Sequence, residues 1–201
     1  MSNPGFRKGR SQGGRSAASR DGGEGFVSSS LFSQAQILHL MKTEFARSRR
    51  HGLPLGCLLM QVDRMQPLVD LYGADLRVTL RNTLGTMVRE KTRGADLLGL
   101  FHEDRYMLVL PHTALEPTRI VADRLHRLFR DYEVAVGGRV LDLTLSVGLS
   151  ATGQSEAMFF DTLVGQAEAA LEFALEHGGN RIVSFGETQL LDADPKPDPK
   201  A

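Results

Sequence analysis

The residues with the clearest potential for chemistry lie in and just before a predicted β-hairpin. Two short apolar runs, residues 97–101 and 106–110, are separated by the polar tip His-Glu-Asp-Arg at 102–105. A charged tip held between buried strands is a typical place for functional groups. Adjacent tip residues point in different directions, so a solvated turn is favoured over a metal site. Arg93 and Asp96, just before the hairpin, are the better functional candidates.

Hydrophobic periodicity predicts the elements that carry this hairpin. Helices are predicted at 31–50, at 66–90 with a break near Tyr72-Gly73, at 115–132 and at 159–177, and further strands at 55–62, 132–136, 139–150 and 181–185. The run at 55–62 is continuously apolar, which indicates a central strand buried on both faces. Gly137 and Gly138 would form the turn of a second hairpin. These elements predict one α/β (α+β) sandwich, a sheet with helices packed on it.

In the helix at 115–132, five apolar side chains are expected to face the core: Ile120, Val121, Leu125, Leu128 and Phe129. The single cysteine, Cys57, lies in the central apolar run and is read as a core residue, so no disulfide framework is expected.

Composition excludes several classes of function. The chain has 201 residues, 41% of them hydrophobic and 24% charged, with a formal net charge of zero. This balance favours neither nucleic acid nor a membrane surface as a partner. No apolar run reaches the length of about 18 residues that a transmembrane helix needs. The N-terminus has no apolar stretch typical of a secretory signal, and a cytoplasmic location is expected.

The two ends differ from the middle of the chain. Residues 1–30 are rich in Gly, Ser and Arg and are expected to form a disordered arm, with solubilisation favoured over nucleic-acid or partner binding as its role. The folded domain is expected at 31–186. Residues 187–201, which end in Asp-Pro-Lys-Pro-Asp-Pro-Lys-Ala, are expected to form a second disordered tail.

Several strings, in this order and spacing, resemble the GGDEF domain of diguanylate cyclases. They include Glu-Phe-Ala-Arg-Ser-Arg-Arg-His-Gly-Leu-Pro-Leu at 44–55, Leu-Thr-Leu-Ser-Val-Gly at 143–148 and Gly-Gly-Asn-Arg-Ile-Val at 178–183. The resemblance covers residues 31–185. It implies a nucleotidyl-cyclase palm-like fold, with a central, mostly antiparallel sheet flanked by helices. Active members join two GTP molecules into cyclic di-GMP across a homodimer.

The resemblance also implies a degenerate signature and incomplete metal ligands. The signature Gly-Gly-Asp/Glu-Glu-Phe falls on His102, Glu103, Asp104, Arg105 and Tyr106. Asp104 keeps one metal-binding carboxylate, but the first Asp of the family's Asp-x-Asp falls on Gln61, and only Asp63 remains. An amide brings no charge and is a poor ligand for Mg²⁺, so no catalytic metal is expected.

The nucleotide contacts of active members are replaced as well. Their guanine-reading Asn and Asp fall on Val69 and Val78, and their phosphate-contacting Lys and Arg fall on Leu175 and Gly179. Because metal, base and phosphate contacts are all affected, the resemblance implies a domain that has lost GTP binding and cyclase activity. A weak residual nucleotide-binding pocket is the alternative to complete loss of GTP binding.

A second family site keeps its spacing. The family's product-binding Arg-x-x-Asp stands five residues before the signature, and Arg93-x-x-Asp96 stands five residues before His102. Arginine offers a planar fork to guanine or phosphate, and aspartate accepts hydrogen bonds from guanine N–H groups. Arg124 matches a position that often supplies another arginine. The resemblance therefore implies a receptor for cyclic di-GMP that uses Arg93, Asp96 and Arg124.

Two alternatives to the receptor remain. Arg93 and Asp96 would also suit a surface ion pair or a simple turn. The domain would then be a protein-interaction or dimerisation scaffold without a ligand. An active cyclase with a rearranged site would have to rely on Asp63 and Asp104. The sequence names no protein partner and leaves the oligomeric state open, although a two-fold symmetric ligand often bridges two copies in a homodimer.

Overall fold

The computed structural model describes residues 31–102, 104–136, 139–153 and 159–192. The strands are β1 (Leu55–Val62), β2 (Leu97–His102), β3 (Arg105–Pro111), β4 (Val134–Val136), β5 (Arg139–Leu141), β6 (Leu145–Ala151) and β7 (Ile182–Ser184). The helices are α1 (Gln34–His51), α2 (Met65–Tyr72), α3 (Asp75–Lys91), α4 (Leu115–Arg130), α5 (Phe160–Glu176) and α6 (Phe185–Asp192).

Five strands form the main sheet in the order β2-β3-β1-β6-β7. All neighbours are antiparallel except β6 and β7, which are parallel. Strands β4 and β5 pair only with each other. The predicted mostly antiparallel sheet with flanking helices is therefore confirmed. None of the described helices is both long enough and apolar enough to cross a membrane.

Helices cover both faces of β1, as its continuous apolar sequence predicts. One face packs on α1 and α5, where Cys57 and Leu59 of β1 meet Met41 and Leu171. The other face packs on α3 and α4. There, Leu58 and the alternate residues of β1 that share its face contact a second cluster of buried side chains from those helices. Burial raises the pKa of the Cys57 thiol to about 12, which fits the predicted core role.

The ends of two helices follow local signals. Helix α1 begins at a capping box in which the Ser33 hydroxyl accepts from the Gln36 N–H and the Gln36 side chain accepts from the Ser33 N–H. It ends at Gly52 in the left-handed conformation (φ 64°). The break between α2 and α3 at Gly73 is also confirmed.

One predicted strand is divided in the structure. The predicted strand at 139–150 is two strands, because the chain leaves β5 at Leu141 and enters the main sheet as β6 at Leu145. The predicted Gly-Gly turn of that hairpin lies outside the described residues.

The C-terminal boundary also moves. Helix α6 extends past residue 186, where the sequence places the start of the tail. Glu187 holds α6 in place because it accepts hydrogen bonds from the Ser184 N–H and hydroxyl and pairs with Arg119 of α4. The predicted N-terminal arm and residues 193–201 lie outside the described residues.

Two close approaches fix the packing around the sheet. At Gly148 of β6, an added Cβ would come within 2.7 Å of Leu171 Cα in α5, and closer still to two backbone atoms of that helix. At the β2 edge of the sheet, the Phe32 N–H donates to the Leu98 carbonyl and the Phe32 carbonyl accepts from the Leu100 N–H. Gly99 permits this contact because a Cβ there would lie 2.8 Å from the Phe32 oxygen.

Candidate functional site

The Arg-x-x-Asp segment forms a closed turn that leads into β2. Asp96 Oδ2 accepts a 2.7 Å hydrogen bond from the backbone N–H of Arg93, and the Asp96 N–H donates to the Arg93 carbonyl at 3.0 Å. The turn named as an alternative is therefore present. Among the described residues, however, the Arg93 guanidinium has no carboxylate partner within ion-pairing distance. The backbone of Arg93 closes the turn, and the residue is exposed.

This turn forms one wall of a cleft of about 440 Å³. The cleft lies between the end of α3, the turn before β2, the end of β3 and the first half of α4. Its lining residues are Glu90, Lys91, Thr92, Arg93, Asp96, Leu110, Thr113, Pro117, Ile120, Val121 and Arg124. The three side chains that the resemblance assigns to a ligand thus come from two separate segments and line the same cleft.

The charges in the cleft are mixed. Burial raises the pKa of the Asp96 carboxyl group above its usual range, while the Arg93 N–H and the charges of Arg93 and Arg124 oppose the shift. Among the lining residues, Lys91, Arg93 and Arg124 supply three cations, and Glu90 and Asp96 supply two carboxylates. Such a set suits a ligand with both anionic groups and hydrogen-bond donors.

Ile120 corrects one sequence prediction. Its side chain is expected in the core, but it is 64% exposed and lines the cleft. The other four predicted core residues of α4 do face the core, and the fully buried positions of the helix are Thr118, Ala122, Leu125 and Phe129. A prediction based on apolar residues alone misses Thr118. This side chain can be buried because its hydroxyl donates a hydrogen bond to the Ala114 carbonyl of the same helix.

The signature hairpin forms as predicted, with His102 paired to Arg105 after an irregularity at Leu100. Tyr106 is 2% exposed, and burial raises the pKa of its phenol against the opposing charge of Arg81. Glu103 lies outside the described residues. In the described part of the chain, no group of three His, Cys, Asp or Glu side chains is placed to bind a metal ion.

Asp104 is held by an arginine from α3. Arg77 Nε and Nη2 donate to the two oxygens of Asp104 at 2.8 and 3.1 Å, and Nη2 also donates to Gln66 Oε1 at 2.9 Å. Both side chains of the pair are about four-fifths buried. Such a two-pronged pair is strong and directional. Sequence reasoning missed Arg77, which lies 27 residues from its partner.

The next residue of the signature, Arg105, also contacts other elements of the fold. Arg105 Nε donates to Gln61 Oε1 at 3.0 Å, and its Nη2 lies 2.6 Å from Glu172 Oε1 of α5. His102 Nε2 lies 3.8 Å from Glu168 of the same helix. Three of the four described signature residues therefore contact side chains of helices α3 and α5 or of β1, and the fourth, Tyr106, is buried in the core.

Asp63 holds the segment after α5 against the end of β1. Its carboxylate accepts from the Thr144 and Ser146 hydroxyls, at 2.7 and 2.6 Å, and from the Asn180 N–H at 2.9 Å. Gly179, with φ 70°, packs so closely that an added Cβ would lie 2.9 Å from Asp63 Cγ. This carboxylate has a structural role in the chain as it stands.

We expect Asp63→Ala to lower the free energy of unfolding by about 2–3 kcal/mol, because hydrogen bonds to a charged group contribute about 1.5–3 kcal/mol and three donors would lose their acceptor. Chemical denaturation measures the change. Asp70→Ala is the matched control: Asp70 is exposed and accepts from Gln66, so its loss should stay within about 0.5 kcal/mol. Equal effects of the two substitutions would contradict the structural role of Asp63.

The positions where the resemblance replaces nucleotide contacts lie apart from the Arg93 cleft. Val78 is 54% exposed on α3, while Val69 and Leu175 are partly buried against the two cores. None of these three side chains can form a hydrogen bond. They are the apolar residues expected from the sequence.

Curated relatives share the domain but are longer. The chain is 26% identical over 139 residues to the response regulator PleD of Caulobacter vibrioides, covering 68% of this chain and 30% of that protein. It is 24% identical over 158 residues to the diguanylate cyclase DosC of Escherichia coli, covering 78% and 34%. The chain therefore spans about a third of the length of these relatives.

Solved structures share the fold. The diguanylate cyclase SiaD of Pseudomonas aeruginosa, in complex with its activator SiaC, matches with a TM-score of 0.71 and 27% identity over 78% of this chain and 60% of SiaD. The GGDEF domain of DgcB from Caulobacter crescentus, in complex with c-di-GMP, matches with a TM-score of 0.73 and 13% identity over 87% and 99%. The family model for the diguanylate cyclase GGDEF domain matches residues 28–181, and the chain therefore belongs to the GGDEF family.

Proposed function

We propose that this GGDEF domain is a receptor for cyclic di-GMP that has no cyclase activity. The observation that carries the proposal is the convergence of Arg93, Asp96 and Arg124 on one cleft. The cleft volume of about 440 Å³ falls within the range of small-molecule sites. The proposal includes a cytoplasmic location, as expected from the sequence.

The chemistry of the cleft matches that of the ligand. Cyclic di-GMP carries two phosphates and two guanines, so it offers anionic oxygens, ring acceptors and N–H donors. Arg93 and Arg124 can form forked hydrogen bonds to phosphate or to the guanine acceptor edge. Asp96 can accept from guanine N–H groups; burial raises the pKa of its carboxyl group, and the charges of Arg93 and Arg124 oppose that shift.

Similar domains support a ligand of this class. The DgcB domain was solved in complex with c-di-GMP. A further solved structure, which matches this chain with a TM-score of 0.65, shows a microbial GGDEF domain that interacts with cyclic di-GMP in a novel mode. Both are below 25% identity, so they support the fold directly and the ligand by analogy.

The contacts around the signature support the absence of cyclase activity. Catalysis by metal ions requires carboxylates that are open to the ions. Here Asp104 binds the Arg77 guanidinium, and Gln61, where a metal-binding carboxylate is expected, accepts from Arg105. Asp63 already accepts three hydrogen bonds. These residues therefore do not fit a pair of Mg²⁺ ions.

A scaffold without a ligand is the second candidate. The complex of SiaD with its activator SiaC favours it, because it documents a protein partner for a similar diguanylate cyclase. The two candidates differ in what Arg93 does, since a scaffold has no need of its guanidinium.

Isothermal titration calorimetry with cyclic di-GMP tests the proposal, with GTP and Mg²⁺ titrated into the same preparation. We expect saturable binding of cyclic di-GMP, with a dissociation constant of about 1 μM or lower, equivalent to about −8.2 kcal/mol or better. GTP should produce no saturable heat and no cyclic di-GMP on incubation. A folded protein that binds neither nucleotide would favour the scaffold, and product formation from GTP would refute the loss of activity.

A further inference from the structure

Helices α1 and α5 cover the same face of the sheet, and each exposes a stripe of one charge. On α1, the charged residues of the stripe are Lys42, Arg47 and Arg50, flanked by His39 and His51, and we call this set the basic stripe. On α5, it consists of Asp161, Glu168, Glu172 and Glu176, the acidic stripe. The formal net charge of the chain is zero, so these stripes reflect separation of charge rather than an excess of one sign.

Both stripes point away from the sheet. The basic stripe lies on the side of α1 opposite the buried side chains Ile37, Met41 and Phe45. The acidic residues, spaced by seven and then four positions, lie on the side of α5 opposite Leu163, Ala167 and Leu171. The two helices have 18 and 17 residues. At about 1.5 Å per residue, both are therefore about 25 Å long.

Small residues lie within each stripe. Thr43 and Ala46 lie between the cations of α1, where the surface is concave, with a groove of about 490 Å³. Gly165 and Ala169 are exposed between the acids of α5. A helix surface with small residues between long charged ones allows another helix to approach closely while its charges meet oppositely charged side chains.

Contacts within the chain neutralise only part of each stripe. Arg47 pairs with Glu44, and Lys42 Nζ lies 5.2 Å from the centre of the Phe160 ring. Glu172 pairs with Arg105, and Glu168 lies near His102. Within the described ranges, Arg50, Asp161 and Glu176 have no ion-pair partner.

We infer that this face binds a second copy of the same chain, with the basic stripe of each copy on the acidic stripe of the other. A two-fold axis that runs between α1 and α5 brings both pairs of stripes together at once, as a self-complementary interface requires. Charge complementarity argues for this occupant, because one face carries both halves of the pair at matching length. The interface lies apart from the Arg93 cleft and does not depend on the proposed ligand.

Sedimentation velocity without nucleotide tests this inference. Exposed charges are screened over about 10 Å at 0.1 M salt but over about 3 Å at 1 M. We expect a dimer at low salt whose dissociation constant rises at least about tenfold at high salt. A wild-type protein that remains monomeric at low salt, at its highest soluble concentration, would overturn the inference.

Charge reversal identifies the interface. The first variant carries Lys42→Glu and Arg50→Glu, and the second carries Glu168→Lys and Glu176→Lys, with Glu172 left unchanged because it pairs with Arg105. Each variant alone should be monomeric. An equimolar mixture should form a heterodimer, since each copy then meets the opposite charge. Binding between the variants also demonstrates that both are folded.

A matched control reverses two exposed arginines elsewhere, with Arg89→Glu on α3 and Arg130→Glu on α4. This control should dimerise like the wild type. If it is monomeric, or if the stripe variants still form homodimers, the dimer uses another surface and the inference is wrong. Circular dichroism melting curves of all variants confirm that they are folded before their oligomeric states are compared.

Discussion

Replacement of Arg93 by alanine is expected to weaken binding of cyclic di-GMP about 10- to 150-fold, because a hydrogen bond to a charged group contributes about 1.5–3 kcal/mol. The turn should survive, since Asp96 accepts from the backbone N–H of Arg93 and the side chain is not needed to close it. Calorimetric titration measures the affinity, and a melting curve verifies the fold.

The control for this substitution is Arg130→Ala. Arg130 is an exposed arginine at the C-terminal end of α4, and it does not line the cleft. Arg93→Lys adds a finer test, because it keeps the positive charge but loses the planar fork. It should bind with an affinity between those of the wild type and the alanine variant. If Arg93→Ala binds as tightly as Arg130→Ala, the cleft is not the receptor site.

Gly148→Ala is expected to have the largest effect on stability. The added methyl group would overlap the backbone of α5 at Ala167 and Leu171, which cannot move aside as a flexible side chain could. Overpacking of this kind costs about 3 kcal/mol or more when the backbone must shift. For a domain of this size, that loss lowers the melting temperature by about 6–12 °C. Differential scanning calorimetry measures the shift.

Gly165→Ala provides the comparison, since it makes the same substitution on the helix that Gly148 contacts. An added Cβ at Gly165 has no heavy atom outside its own helix turn within 4 Å. Alanine there should stabilise α5 by up to about 1 kcal/mol, because glycine is a poor helix former. If Gly148→Ala melts no lower than Gly165→Ala, α5 does not pack against β6 as closely as described.

Features that depend on neighbouring residues could be predicted from the sequence. The signature hairpin is one, because its two apolar runs and polar tip lie within 14 residues of each other and pair locally. The break at Gly73 and the helix end at Gly52 are others, since glycine tolerates conformations that end a helix. The turn at Arg93 also depends on adjacent residues alone.

Features that depend on distant residues could not be predicted in this way. Arg77 reaches Asp104 across 27 positions, and Asn180 reaches Asp63 across 117. No local pattern identifies such pairs, because only the packing of the helices on the sheet brings them together. The sequence places Ile120 in the core for a related reason: its hydrophobicity is a local property, but the rotation of α4 about its axis depends on the sheet that it covers.

The contact of Phe32 with β2 determines the residue at which a soluble fragment of this domain can begin. Strand β2 is an edge strand, and its outward backbone groups at Leu98 and Leu100 bond to Phe32 rather than to another chain. An uncovered edge strand is a template for intermolecular pairing. A fragment that begins at the first residue of α1 would expose those two groups and tend to aggregate, whereas one that begins before Phe32 would keep the edge closed. The residues just ahead of the first helix therefore protect solubility.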